Sequence, residues 1–124
     1  MTNLKSYVQK MLTDCTELKT LLGKNKIVSA YPDEVKIFPL VIHEELNQRD
    51  VAFSDNLPNG SAGSVRVHIF TKILTGLPTT WDVAKIVCNL FRSDFWTCTN
   101  NQEMTEGNGI KHRILDFTKE FYSL

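Results

Sequence analysis

The chain has 124 residues, 42% of them hydrophobic and 23% charged. That suffices for one domain with a radius of gyration of roughly 14 Å and a core of its own, and it excludes a disordered chain, a collagen-like chain and a long coiled coil. Lys plus Arg is 14 and Asp plus Glu is 14, so the net charge is zero, which gives no support to a protein that grips nucleic acid through its phosphates.

The first residues, Met1-Thr2-Asn3-Leu4-Lys5-Ser6-Tyr7, lack the basic start and the apolar run of about 7–15 residues that make a signal peptide. The longest apolar run, Ile37 to Ile42, is broken by Pro39 and falls far short of the about 20 residues a membrane helix needs. The expectation is a chain made and kept in the cytosol, or one that leaves it without a cleaved signal.

In residues 3–22, Leu4, Tyr7, Val8, Met11, Leu12, Cys15, Leu18, Leu21 and Leu22 recur mostly at spacings of three and four, with polar residues between them. This predicts one amphipathic helix, ended by Gly23. Ile27 to Tyr31 predicts a short strand stopped by Pro32-Asp33. Phe38 to Leu46 predicts a second, with Leu40, Ile42 and Leu46 on one face and Val41, His43 and Glu45 on the other. Pro39 marks a strand start or an edge.

Asn47 to Gly63 is polar and rich in turn formers, and it predicts a long flexible loop within a single domain spanning 1–124. Asn59-Gly60-Ser61 inside it reads as an exposed turn. Ser64 to Ile73 alternates: Val65, Val67, Ile69 and Thr71 share one face, and Arg66, His68, Phe70 and Lys72 the more polar one. Thr79 and Asp82 form a capping-box pattern that opens a second helix, with Val83, Ile86, Val87, Leu90 and Phe91 as its apolar stripe. Phe95 to Met104 and Ile110 to Tyr122 read as the two strands of a hairpin, turning at Glu106-Gly107-Asn108-Gly109. The order predicts an α+β fold: a mainly antiparallel sheet of about four to five strands with two principal helices packed on it. Trp81, Phe91, Phe95, Trp96, Phe117, Phe121 and Tyr122 are expected, for the most part, in the core between helix and sheet.

Motifs for chemistry are missing. There is no phosphate-binding glycine loop, no nucleophile elbow and no zinc-protease helix. Cys15, Cys88 and Cys98 lie far apart and read as free, buried thiols rather than metal ligands. His43, His68 and His112 each fall in a predicted strand. Two of them could meet on neighbouring strands, but no acid accompanies them at a diagnostic ligand spacing, so packed or solvent-facing histidines are expected. Glu44-Glu45 and Asp33-Glu34 read as solvated surface. Arg66, His68, Phe70 and Lys72 carry a weak likeness to a single-stranded nucleic-acid platform, unsupported by bulk charge. A small nucleic-acid-associated binding module is therefore an alternative reading. No enzyme, cofactor or metal is expected.

The order and lengths of these parts resemble a known family. A first helix ends in Leu21-Leu22-Gly23, a short strand ends in Tyr31-Pro32, and Phe38-Pro39-Leu40-Val41-Ile42 starts the next. A long polar stretch then leads to Val67-His68-Ile69-Phe70-Thr71-Lys72, and a helix and a terminal hairpin complete the chain. This layout resembles the tail-completion, or tail-terminator, proteins of tailed bacteriophages and prophages. The resemblance implies a small, non-enzymatic α+β protein that assembles as a ring, commonly a hexamer, at the head-proximal end of the tail. Such a ring stops growth of the tail tube and joins the tail to the head. The implied partners are further copies of the chain, the tail tube protein and a head-completion or neck protein, without membrane or tight nucleic-acid binding. The implied location is the virion tail after a cytoplasmic phase. A neck or head-closure role in the same connector is the neighbouring alternative. In such rings loops reach neighbouring subunits, so Arg49, Asp50, Phe53, Asp55 and Asn56 are the expected contact residues.

Overall fold

Asn3 accepts a hydrogen bond from the Ser6 amide (3.1 Å) and so starts helix α1 (Leu4–Thr13), which buries Leu4, Val8 and Leu12. The helix does not run on to residue 22. Thr13 turns its hydroxyl back onto the Gln9 carbonyl (2.8 Å), Asp14 caps α1, and Cys15 is extended before α2 (Thr16–Leu22). The two apolar sets, Leu4/Val8/Leu12 and Leu18/Leu22, are six residues apart at the junction. Both sets reach the main core, from two helices instead of one. The computed structural model describes residues 3–23, 27–54, 57–74 and 76–122, without the side chains of 52–54 and 57–59.

The sheet has five strands in the order β1-β2-β3-β5-β4: β1 (Ile27–Val28), β2 (Leu40–Ser54), β3 (Leu57–Lys72), β4 (Thr97–Gly107) and β5 (Ile110–Tyr122). Only β1 runs parallel to its neighbour, through Ile27↔Val41 and Val28↔Ile42. The other pairings are antiparallel, as expected. Helix α3 (Thr80–Ser93) opens with the predicted capping box between Thr79 and Asp82. The β4–β5 turn places Asn108 (φ 53°) and Gly109 (φ 75°) in the left-handed region, the geometry a two-residue hairpin requires.

The stretch read as a loop is the main correction. β2 and β3 pair through it, from Asn47↔Ser64 to Ser54↔Leu57, as one long ribbon. Gly60 and Ser61 are strand residues rather than an exposed turn: Gly60 lies opposite both Val51 and Tyr122, and Ser61 is buried. The polar composition misled because strand periodicity shows only where one face meets a core. Asn47, Arg49 and Asp50 are exposed, so nothing selects alternation there. A register shift between Glu45 and Asn47 also turns Leu46 outward, at 43% exposure.

All three helices cover one sheet face. Val41, Val65, Val67, Ile69, Leu115 and Phe117 meet Leu4, Val8, Leu12, Leu18, Val83, Val87 and Phe91 in the main core. Phe91 stacks on Phe117 with centroids 4.1 Å apart, and Trp96 meets Phe91 edge-on at 5.3 Å. Gly63 belongs to this packing, since a Cβ there would stand 2.7 Å from Leu4 Cδ1. The other face has a smaller cluster of Leu40, Ile42 and Phe70, with Val28, Val35 and Phe38 packed on it.

Candidate assembly surfaces

Of the five residues expected to make contacts, Arg49 and Asp50 are exposed on β2, opposite Ala62 and Ser61. Phe53 lies in β2 opposite Pro58, with its side chain outside the described set. Asp55 and Asn56 lie outside the described residues. Arg49 also lines a shallow hollow with Phe95, Thr97, Thr118, Lys119 and Glu120, so the ribbon borders the loop after α3. β4 forms the outer edge of the sheet, and most of its residues are exposed. Such an edge presents unpaired backbone groups to a further strand.

The sheet face away from the helices carries a chain of hydrogen bonds not foreseen from sequence. Glu44 Oε1 lies 2.9 Å from His68 Nε2, His68 Nδ1 lies 2.8 Å from His112 Nε2, and His112 Nδ1 lies 2.7 Å from Glu106 Oε1. Both rings are buried. Tyr31 caps His68 edge-on at 5.1 Å, and Phe70 stacks on His112 at 4.0 Å. In each of the three contacts the imidazole tautomers decide which atom donates and which accepts. Burial pushes His112 below its ordinary range, Glu106 pulls it up, and His68 pushes it down again. Glu44 is therefore not simply solvated surface. The two histidines do meet on neighbouring strands, but a Phe70↔His112 register was needed to see it.

The same face holds Arg66, whose Nε and Nη2 donate to the two oxygens of Asp116 at 2.7 and 3.1 Å. Arg66, His68, Phe70 and Lys72 thus make no open platform for bases. Arg66 and His68 are bound internally, Phe70 is buried, and Lys72 lies over the Phe38 ring at 5.9 Å.

His43 stands apart, on the helix face. Its Nε2 is 2.6 Å from Gln9 Oε1, and burial, with Lys5 adding to it, lowers its pKa to about 4. At the C-terminal end of α3, Asp94 Oδ2 accepts from Tyr7, from Lys119 Nζ (3.1 Å) and from Trp96 Nε1 (3.1 Å). Burial raises Asp94, but these donors outweigh it and leave the carboxyl below its ordinary value. Cys88 is buried, Cys15 and Cys98 half-buried, and all three are free. Burial, with Cys98 adding to it, pushes the Cys88 thiol up, which suits an inert packing residue. Among the described residues no group of three or more His, Cys, Asp or Glu could hold a metal ion, and no helix is long and apolar enough to cross a membrane.

Several aromatics expected in the core are outside it. Phe91, Trp96 and Phe117 are buried, whereas Trp81, Phe95 and Tyr122 are exposed.

No protein-family model matches the chain, and no curated protein matches its sequence. Among solved structures, it is similar to a chain described as "Virion of native gene transfer agent (GTA) particle", with a TM-score of 0.64 at 13% identity. The match covers 97% of this chain and 95% of that one. The likeness is one of fold, end to end.

Proposed function

We propose that this chain is a structural virion assembly protein that forms a ring at the head-proximal end of a phage tail, where it terminates tube growth and joins the tail to the head. The observation that carries this reading is the fold similarity over nearly the whole of both chains to a chain of a gene transfer agent virion. A match that leaves almost nothing over on either side favours a shared architecture above a shared fragment. The sequence layout points the same way independently.

In this reading the protein works through surfaces and not through a reaction. Its partners are further copies of itself, six in the expected ring, together with the tail tube protein and a head-completion protein. Arg49, Asp50, Phe53, Asp55 and Asn56 make the contact with a neighbour. The β4 edge offers backbone hydrogen bonds to another strand.

The test is removal of the protein from cells that produce the particles. Tails of uncontrolled length and unjoined heads are expected, with normal particles restored by the full chain. Joined particles with tails of normal length in its absence would overturn the reading.

A further inference from the structure

Phe95 is 85% exposed and has φ 67°. Its place in the fold makes both facts unusual. α3 ends with the Phe95 amide on the Arg92 carbonyl (3.0 Å) and the Trp96 amide on the Phe91 carbonyl (3.0 Å). This is the double-bonded helix stop whose left-handed residue is ordinarily glycine. The hydrophobic contact that accompanies such a stop is present, but Trp96 and Phe91 make it. Phe95 thus bears the backbone cost of a left-handed side chain and gains almost no burial in return. Nothing in the fold of one copy requires a phenyl ring there.

At the other end of the same helix lies a matching hollow. Ile73 (66% exposed), Leu74 (58%) and Trp81 (56%), with Leu77 and Pro78, line a groove of about 410 Å³. Its other walls bring Lys72, Lys111 and Arg113 against a single carboxylate, Glu103.

We propose that Phe95 of one copy seats in the Trp81 groove of the next copy. This deepens the assembly reading above and rests on it. The chain itself carries both halves of the contact, an apolar knob and an apolar hole, separated by the 14 residues of α3, or about 21 Å. The hole lies at the amide end of α3, with three cations and one carboxylate in its walls and Asp82 in the first turn of the helix. The knob lies at the carbonyl end, where Arg92, Lys119 and Arg49 stand with Asp94 and Glu120, so the match is one of apolar shape and not of charge. Because knob and hole are different patches of one molecule, the contact is heterologous, and successive copies close into a ring or run on as a filament. A central aromatic anchor in an apolar slot is the usual energetic centre of such a contact.

The test uses the purified full chain. Phe95→Gly suits the backbone at that position, so the variant should fold as well as the parent, with an equal or higher melting temperature. Its self-association, read by sedimentation velocity at up to about 100 µM, should weaken at least about tenfold. With benzoylphenylalanine at position 95 and a mixture of light and heavy copies, cross-links should join position 95 of one copy to residues 73–81 of another. A wild-type chain that stays monomeric, a Phe95→Gly variant that associates like the parent, or cross-links that map elsewhere would overturn the proposal. The two readings fail separately. Tails lost on removal of the protein, with no link from 95 to 73–81, keep the virion role and reject this contact. Links from 95 to 73–81, with particles indifferent to the protein, do the reverse.

Discussion

The same three strands bury residues in opposite ways on the two faces of the sheet. Toward the helices, Val65, Val67, Ile69, Leu115 and Phe117 contribute only apolar surface. On the other side β2, β3 and β5 present Glu44, Arg66, His68, His112 and Asp116, joined by hydrogen bonds at 2.7–3.1 Å. The apolar face is stabilised by area removed from water and by close packing, and it tolerates neighbours that are merely apolar. The polar face depends on each group keeping its partner, because an unsatisfied buried donor or acceptor costs more than the bond itself contributes. One sheet thus combines a layer that drives folding with a layer that is sensitive to register.

The largest expected effect is on the apolar face. Phe91→Ala should cost about 3–5 kcal/mol of unfolding free energy in chemical denaturation, because Phe117 and Trp96 lose a stacked and an edge-on partner. A loss under about 1 kcal/mol would mean that the helix layer is not the main source of stability.

The next effect sharpens the contrast through His43, the titratable group that belongs to the apolar face. Its folded pKa, about 4, lies below the unfolded value near 6.5. The unfolded chain therefore binds more protons between these values, and stability present above pH 6.5 is lost as pH falls toward 4. The loss is on the order of 3 kcal/mol, at about 1.4 kcal/mol per pH unit. His112 is lowered as well and adds loss of the same sign. Denaturation midpoints measured across pH 4–7 should show the slope, and His43→Gln should remove most of it. An unchanged slope in that variant would assign the acid sensitivity to other groups.

Third, His68→Ala and His112→Ala should each cost about 1–3 kcal/mol, since each strands a buried partner. The double variant should cost less than the sum by at least about 0.5 kcal/mol, because the second loss strands less. Strict additivity in that cycle would show that the two rings do not act as a unit.

The smallest effect has the opposite sign. Phe95→Gly should stabilise the free chain by about 0.5 kcal/mol, since relief of the left-handed strain slightly exceeds the added freedom of glycine in the unfolded chain. Thermal unfolding checks the direction, and a clear destabilisation would mean that the ring packs on its own copy.

What could be read from sequence followed the apolar face. The stripe of α3, the alternation of Val65, Val67 and Ile69, the capping box at Thr79 and the turn at Asn108-Gly109 all leave local patterns. The break at Asp14-Cys15 did not, because Leu4, Val8, Met11, Cys15 and Leu18 also fit one unbroken helix. The ribbon was hidden because its exposed residues alternate against nothing. The Glu44–His68–His112–Glu106 chain joins residues on four strands, so it existed only once their register was known. The sequence places Phe95 in the core, because an aromatic beside a helix end usually packs there. Its left-handed backbone is a property of the helix stop and not of the residue.

The central claim concerns where the protein acts, and immunogold electron microscopy tests it most directly. Antibody shown to bind the native protein would be applied to phage-like particles or isolated tails from an induced culture of the source organism. The account predicts gold at the head-proximal end of the tails. Particles that are present but consistently unlabelled would contradict it.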